Sequence, residues 1–205
     1  IENLRPSGWA TKLRGFILSS DFDNILETLY NLREEGKRFT PPLKQVFRAF
    51  EECPENHLKV VIIGQDPYPQ LGVADGIAFS CSNTGKIQPS LQKIFEELNA
   101  TVYQPNKEHD VDLSRWSKQG VLLINTALTC QIGKPGSHYD IWQSFLVYLL
   151  DILSLSSTGL VFVFMGQKAQ EFENLINPDC HHVFKLAHPA SAAYNNGEWD
   201  CKDVF

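Results

Sequence analysis

Four short segments of the chain are almost continuously apolar and rich in β-branched or aromatic residues. An uninterrupted apolar run of this kind is typical of a strand buried on both faces, as strands of a parallel sheet are. We therefore predict four buried strands, at residues 59–64, 121–124, 160–165 and 182–186.

Apolar residues recur at helical spacing in the segments that precede and separate these strands. The first such pattern runs from Phe22 to Leu32, and Asp21 or Asp23 is its expected N-cap. Further helices are predicted at residues 43–50, 90–98, 141–153 and 168–176. Helices alternating with buried strands indicate one α/β domain over residues 1–205, with a three-layer α/β/α architecture and a central four-stranded parallel sheet.

Composition and charge narrow the class of protein. The chain has 205 residues, of which 43% are hydrophobic and 20% charged, as in ordinary soluble globular proteins. Its 18 basic and 24 acidic residues give a net charge of −6, which argues against a surface coated with nucleic-acid-binding charge but allows a local basic cleft. No apolar stretch approaches the length of a membrane span, so no membrane association is expected.

The cysteines and the first residues indicate the compartment. The five cysteines are widely spaced and odd in number, and none form a Cys-x-x-Cys pair, which disfavours a disulfide framework, a zinc site or a four-cysteine iron–sulfur cluster. The chain opens with Ile1-Glu2-Asn3 rather than a basic and apolar leader, so no signal peptide is expected. We therefore predict an intracellular protein of the cytoplasm or nucleus.

Polar residues stand at the carboxyl ends of three predicted strands, the edge at which ligands bind in open α/β sheets. Asp66 follows the first strand, Asn125 ends the second and His188 follows the fourth. Each also has a structural interpretation: Asp66 as a turn cap, Asn125 as a tie between loops, and His188 as a core histidine with satisfied hydrogen bonds. Only the convergence of an acid, an amide and an imidazole at one edge favours a functional site.

Several separated motifs resemble those of family 1 uracil-DNA glycosylases. They are GQDPY at 64–68, GIAFS at 76–80, PSL at 89–91, WSKQGVLLIN at 116–125, LT at 128–129, GSH at 136–138 and AHP at 187–189. The resemblance runs from about Trp9 to His188 in the family's order. It implies hydrolysis of the N-glycosidic bond between uracil and deoxyribose after the base is flipped out of DNA, the first step of base excision repair, with no metal and no cofactor.

The resemblance also implies how uracil is recognised and released. Phe79 is expected to stack on the ring, Asn125 to pair with O4 and N3–H, and Tyr68 to stand against C5, where the methyl of thymine would collide. Asp66 is expected to stabilise the sugar cation and to orient or deprotonate water. His188, neutral, is expected to donate to uracil O2, with a further donor from the backbone near Gln65.

Contacts to DNA outside the pocket are implied in the same way. Ser90 and Ser137 match serines that contact phosphates flanking the flipped nucleotide, although Ser90 as a simple helix N-cap is an equally good interpretation. The loop that inserts into DNA matches Ala190, Ser191, Ala192 and Tyr194. The expected partners are uracil-containing DNA, single- or double-stranded, and a proteinaceous uracil-glycosylase inhibitor, and the expected state is a monomer.

Two departures from the family pattern affect these expectations. Pro69 stands where the family usually has His, which removes a polar group and stiffens the loop. After Pro189 the family commonly continues Ser-Pro-Leu-Ser, whereas this chain reads Ala-Ser-Ala-Ala, so the leucine that wedges into the vacated stack aligns with Ala192. A methyl group fills less of the gap, and we expect weaker catalysis on duplex DNA than on single strands unless Tyr194 takes over as the wedge.

Two other function classes stay open at this point. The altered loop and the acidic charge suit a weakly active glycosylase-fold scaffold that binds DNA or partner proteins, but the retained pocket residues argue against it. A related glycosylase acting on another base is disfavoured by the tyrosine and the amide at their family positions. Release of free base from uracil-, thymine- and hypoxanthine-containing oligonucleotides separates the three.

Overall fold

Helices and short strands alternate along the chain. The structure, a computed structural model, describes residues 2–104 and 107–194 together with 197, 199, 201 and 204. Its α-helices are α1 Trp9–Lys12, α2 Arg14–Ile17, α3 Ser20–Glu34, α4 Arg48–Glu52, α5 Pro89–Thr101, α6 Ser114–Ser117, α7 Tyr139–Ser156, α8 Gln167–Gln170 and α9 Pro189–Tyr194. Its strands are β1 Phe39–Thr40, β2 Val60–Gly64, β3 Val121–Asn125, β4 Cys130–Gln131, β5 Val161–Met165 and β6 His182–Leu186. Short 3-10 turns lie at Glu2–Leu4, Leu43–Gln45, Glu55–His57 and Glu173–Leu175.

The central sheet has four parallel strands in the order β3-β2-β5-β6, with helices around it. The predicted α/β class with a four-stranded parallel sheet is therefore confirmed. Strand β2 lies in the middle of the sheet, and its last residue, Gly64, is opposite Asn125 at the end of β3. This register places the loops that follow β2 and β3 side by side at the carboxyl edge.

The long helices α3 and α7 pack against each other and match two predicted patterns, with one correction at a helix start. The N-cap of α3 is Ser19, whose hydroxyl oxygen accepts a hydrogen bond from the Phe22 N–H at 3.4 Å. Asp21 and Asp23, the predicted caps, instead lie inside the first turn, where a negative charge interacts favourably with the helix dipole.

Two predicted helices are interrupted, and the hydrogen bonds show why. In the 43–50 segment the Ala49 N–H donates to the Gly76 carbonyl at 3.3 Å instead of continuing a helix from the preceding turn, which leaves a 3-10 turn followed by α4. In the 168–176 segment the Phe172 N–H donates to the Ala169 carbonyl at 3.2 Å, a three-residue spacing that tightens the chain after α8. Periodicity alone does not reveal such tertiary competition for a backbone donor.

An aromatic cluster beside the sheet fixes α7 against the N-terminal helices. Trp9 and Phe50 meet edge-on with ring centroids 5.2 Å apart, and Phe50 and Phe145 of α7 meet in the same way at 5.8 Å. Edge-on pairs of buried rings add about 0.5–1.5 kcal/mol to the burial of their area. The cluster therefore gives the sheet a rigid flank, so that the loops at its carboxyl edge start from fixed positions.

The state of the cysteines and the character of the helices can be compared with the prediction of an intracellular protein that does not associate with a membrane. The five cysteines, all within the described residues, form no disulfide bond, and four of them are buried. Within the described residues, no helix combines the length and the apolar character that crossing a bilayer requires.

Candidate active site

A pocket of about 250 Å³ opens at the carboxyl edge of the sheet, where β2, β3 and β6 end. It brings together all six residues that the sequence analysis assigned to base recognition and bond cleavage. They are Gln65, Asp66, Tyr68, Phe79, Asn125 and His188. Ser90 and Ala190 line the same pocket, whereas the exposed Ser137 does not.

Gly64 lets an amide and a phenyl ring meet at the floor of the pocket. A Cβ atom on this residue would lie 2.5 Å from Asn125 Oδ1 and 3.1 Å from Phe79 Cζ, both closer than van der Waals contact allows. The glycine that ends β2 therefore makes room for the hydrogen-bonding group of Asn125 beside the ring of Phe79. An amide next to an aromatic face can pair with the edge of a nucleobase while the ring stacks on it.

Phe79 is held in an unusual backbone conformation. Its φ of 66° is the one positive value among the described non-glycine residues. The Tyr68 hydroxyl donates to the Phe79 carbonyl at 3.0 Å, and the Phe79 ring lies 5.6 Å from the His188 ring, centroid to centroid. Positive φ at a bulky residue costs free energy and persists where the surroundings determine it.

A buried carboxylate, that of Asp75, holds Phe79 in this conformation. Asp75 is fully buried and accepts hydrogen bonds from donors on both sides of Phe79. These donors are the Ile77 N–H (3.1 Å), the Ser80 hydroxyl (2.6 Å), the Ser82 N–H (2.9 Å) and hydroxyl (2.6 Å), and the Arg48 guanidinium (2.9 Å). Arg48 in turn forms a bidentate pair with Asp112, at 2.9 and 3.0 Å. The sequence analysis missed Asp75, although an acid followed by two alternating serines in an apolar segment is a signal for such a network.

Asp66 lines the pocket, and its carboxylate is held from one side. Its Oδ2 atom accepts a hydrogen bond from the Gly136 N–H at 2.8 Å, and the Tyr139 phenol lies beside the same carboxylate, where it acts on the pKa of the carboxyl group as a side-chain donor. Burial raises the pKa of the Asp66 carboxyl, and these two hydrogen bonds act in the opposite direction. Neither Gly136 nor Tyr139 was assigned a contact to Asp66 from the sequence, because they lie about seventy positions further along the chain.

His188 faces the pocket as a neutral imidazole with a defined tautomer. Its Nδ1 atom accepts a hydrogen bond from the Ala190 N–H at 3.1 Å, so the neutral ring carries its proton on Nε2. Burial lowers the pKa of His188 to about 4. The ring is packed closely from behind, since a Cβ atom on Gly166 would lie 2.9 Å from His188 Cβ and 2.2 Å from Gln65 Nε2.

The backbone around Gln65 ties the two central loops together. The Gln65 carbonyl accepts hydrogen bonds from the Thr126 hydroxyl at 2.6 Å and from the Ala127 N–H at 3.3 Å. The Thr126 N–H donates to the Gly64 carbonyl at 3.1 Å. These bonds lock the exit of β2 to the exit of β3, so that Asp66 and Asn125 keep a fixed separation.

The two serines predicted to contact phosphates occupy different environments. Ser90 is buried in the first turn of α5 and lines the pocket, and the N-cap of that helix is Gln88, so the interpretation of Ser90 as a cap is wrong. Ser137 is exposed, and its hydroxyl oxygen accepts a hydrogen bond from the Gln131 N–H at 2.8 Å, which leaves its own O–H available as a donor.

The segment matched to a DNA-insertion loop is the helix α9, which packs against α5. Ala192 is 8% exposed and belongs to the hydrophobic core, so its methyl group points into the protein. Ser191 is exposed and its hydroxyl donates to the His188 carbonyl at 2.7 Å. The side chain of Tyr194 lies outside the described residues.

The pocket brings a phenyl ring, an amide, a neutral imidazole and a carboxylate together at the edge of a parallel sheet, a set of groups suited to an enzyme that binds a nucleobase. A family model for the uracil DNA glycosylase superfamily matches residues 50–204. The uracil-DNA glycosylase of Acinetobacter baumannii (strain SDF) is 38% identical over 198 residues, which cover 96% of this chain and 83% of that protein. That of Campylobacter lari is 39% identical over 188 residues, which cover 91% and 82%.

Solved structures agree with the sequence relatives. The crystal structure of mimivirus uracil-DNA glycosylase has a TM-score of 0.81 at 28% identity and covers 90% of this chain and 68% of that chain. A mimivirus variant in complex with UGI has a TM-score of 0.80 at 28% identity, with 89% and 69% covered. The chain belongs to the uracil-DNA glycosylase superfamily. It is a monofunctional DNA N-glycosylase, a hydrolase of base excision repair that removes uracil from DNA.

Proposed function

We propose that this glycosylase divides its work between Asn125 and Phe79, which hold the uracil ring, and Asp66 and His188, which act at the two ends of the breaking bond. The observation that carries the proposal is the single pocket in which all four side chains meet. A uracil stacked on Phe79 presents its edge to Asn125, because the two groups adjoin over Gly64. The sugar then lies toward the mouth of the pocket, near Asp66.

Charge separates as the glycosidic bond breaks, and the two residues match that separation. The sugar becomes cationic and the departing uracil anionic, so an anion near the sugar and a donor near O2 both stabilise the transition state. Asp66 supplies the anion and orients or deprotonates the attacking water. His188 supplies the donor through its Nε2–H, because the Ala190 N–H occupies Nδ1. A donor placed where negative charge develops stabilises the transition state more than the ground state.

Selectivity comes from pairing and from steric exclusion rather than from stacking. Asn125 offers an N–H to uracil O4 and a carbonyl to N3–H, whereas cytosine presents the opposite polarity and would leave buried groups unpaired. Sites of this kind can discriminate by a factor on the order of 10⁴. Tyr68 is fixed by its hydrogen bond to the Phe79 carbonyl and stands where the methyl group of thymine would lie.

The proposal extends to DNA and to protein partners. Ser90 and Ser137 are the proposed phosphate contacts, and they position the strand without reading its sequence. A relative from mimivirus has been solved in complex with UGI, which supports a proteinaceous inhibitor as a partner of this chain as well. We expect the chain to act as a monomer, because the pocket is complete within a single chain.

Base release from matched oligonucleotides tests the proposal. Free uracil should be released from a uracil-containing strand, and no base from otherwise identical thymine- or hypoxanthine-containing strands. The Asp66→Asn variant should lose several orders of magnitude in rate while still binding DNA, and Asp151→Asn, the same change at an exposed position of α7, should be unaffected. Near-normal turnover by Asp66→Asn would remove Asp66 from its role.

A further inference from the structure

Tyr139 and Gly136 contact Asp66 from the first turn of α7 and the loop before it. The Gly136 N–H donates to Asp66 Oδ2 at 2.8 Å. The Tyr139 phenol lies beside the same carboxylate, near enough to lower its pKa as a side-chain donor. Of these three residues, Asp66 alone lines the pocket. The two donors therefore hold the carboxylate from behind and leave its remaining hydrogen-bonding capacity for the pocket.

The Tyr139 ring is packed against Gly136 and lies near Lys168. Gly136 has a φ of +77°, and a Cβ atom there would lie 3.0 Å from Tyr139 Cε2, so the ring packs directly on the glycine backbone. On the side of α8, the Lys168 ammonium lies 5.1 Å from the ring centroid, and Lys168 forms an ion pair with Glu171 at 2.7 Å. A ring held in this way aims its hydroxyl with little loss of conformational freedom.

We infer that Tyr139 is a positioning residue for uracil release, whose hydroxyl keeps Asp66 ionised and aimed at the sugar and the attacking water. The inference rests on the proposed role of Asp66. In this role the neutral Tyr139 hydroxyl acts on the reaction through the Asp66 carboxylate and does not touch the substrate. The salt bridges of the described residues include none to Asp66, so neutral donors rather than a cation sustain its charge.

The directions in which the pKa values of Asp66 and Tyr139 are shifted agree with this arrangement. Burial raises the pKa of Asp66, and the hydrogen bonds from Gly136 and Tyr139 lower it. Burial and the neighbouring Asp66 charge both raise the pKa of the Tyr139 phenol, so it stays protonated and remains a donor at neutral pH.

The other titratable groups around this pair are accounted for. The Cys130 thiol, which donates to the Pro67 carbonyl at 3.2 Å, has its pKa raised to about 12 by burial and by the Asp66 charge, so it stays neutral. Lys168 and Glu171 form an ion pair at the outer side of the Tyr139 ring. His188, with a pKa lowered to about 4, lies in the same pocket as Asp66. Loss of the Tyr139 hydroxyl leaves all these groups in place.

The Tyr139→Phe variant tests the inference, because it keeps the ring and removes only the hydroxyl. The measurement is kcat/KM for uracil release from a single-stranded oligonucleotide between pH 4 and pH 9. The acid limb of the profile reports ionisation of Asp66, and it should move to higher pH by about one unit, which lowers the rate about tenfold at pH values below the limb. At high pH the variant should approach the wild-type rate, and KM should not change.

Tyr148→Phe is the matched control, since Tyr148 lies on the same helix and its hydroxyl donates to the Lys12 carbonyl at 3.4 Å, away from the pocket. A wild-type profile for Tyr139→Phe overturns the inference, and so does an equal shift in Tyr148→Phe, which would show a general effect on α7. In the Asp66→Asn background the Tyr139→Phe change should have no effect on residual activity. If Asp66→Asn itself keeps near-normal activity, the proposed role of Asp66 fails instead.

Discussion

Two adjoining loops of the pocket each carry a carboxylate, fully buried at Asp75 and half-buried at Asp66, and the two are used differently. Asp75 accepts four hydrogen bonds within its own loop and one ion pair from Arg48. Asp66 accepts from the Gly136 N–H on one side, where the Tyr139 phenol also lies, and faces the pocket on the other. A fully satisfied buried charge fixes the shape of its surroundings, whereas a partly satisfied one keeps its capacity to interact for a ligand.

Two histidines, His138, which is buried, and His188, which is half-buried, repeat this contrast. His138 is hydrogen-bonded through Nδ1 to the Thr129 hydroxyl at 2.8 Å, and Thr129 also accepts from the Trp142 indole N–H at 2.7 Å. His188 is held by one backbone bond and turns its ring to the pocket. We call Asp75 and His138 the supporting layer, and Asp66 and His188 the pocket-facing layer.

Among changes in the supporting layer, Asp75→Asn is expected to lower the free energy of unfolding the most. The amide keeps one acceptor oxygen and replaces the other with an NH2 group that cannot accept, and the change removes the charge that balances Arg48. Breaking a buried ion pair on one side costs about 3 kcal/mol or more in the free energy of unfolding. Asp112→Asn is the control, because the Asp112 side chain is 32% exposed and its loss should cost about 1 kcal/mol. Urea unfolding measures both, and equal values would refute the distinction between the two Arg48 partners.

Gly64→Ala tests whether the pocket depends on the space left by a single hydrogen atom. The new methyl group would meet Asn125 Oδ1 at 2.5 Å and displace it from the Phe79 ring. A displacement of about 1 Å in a catalytic site can cost about 100-fold in rate, so kcat/KM for uracil release should fall by that order. Gly36→Ala is the control: its φ of +75° makes the change destabilising, but nothing lies within 4 Å. Equal activity losses in the two variants would show that reduced stability, not pocket geometry, is the cause.

His138→Gln tests how much His138, in the supporting layer, contributes to the pH dependence of the free energy of unfolding. Burial lowers the pKa of His138 to about 4, against about 6.5 in an unfolded chain. Between these values the unfolded state binds the extra proton, so the free energy of unfolding falls as the pH drops from about 6.5 to 4, by up to about 1.4 kcal/mol per unit. His138→Gln should lower this slope by one proton and leave the remaining contribution of His188. An unchanged slope would mean that His138 is not buried in its neutral form.

The residues that line the pocket were accessible to sequence analysis, whereas the residues that hold them in place were not. Asp66, Asn125 and His188 follow apolar strands directly, so the rule that ligands bind at the carboxyl edge locates them. Asp75 and Tyr139 lie inside loops or at a helix start, and their roles depend on partners such as Arg48 and Asp66, far away in sequence. No periodicity reports a contact of that kind.

The fold shows the same limit. The four strands were predictable because burial on both faces leaves a continuous apolar run, and their observed bounds differ from the prediction by a residue at most. The interruption of the helix expected at 43–50 was not predictable, because it depends on a hydrogen bond from the Ala49 N–H to the distant Gly76 carbonyl. The short pair β1–β4 was missed as well, since two-residue strands carry no pattern.

The smallest effect on the rate of uracil release is expected outside both layers, at α9, the segment that we propose enters DNA. The residue aligned with the family's wedging leucine is Ala192, and its methyl group is buried in the core, so it offers nothing to fill the gap in a duplex. Flipping a base out of a duplex costs a few kcal/mol, and an inserted side chain offsets part of that cost. Uracil release should therefore be several-fold faster from a single strand than from a duplex of the same sequence. If Tyr194 serves as the wedge, Tyr194→Ala should lower the rate on the duplex and leave the rate on the single strand unchanged. Equal rates on both substrates with no loss in Tyr194→Ala would contradict the argument, because the enzyme would then open duplexes without any side chain in the gap.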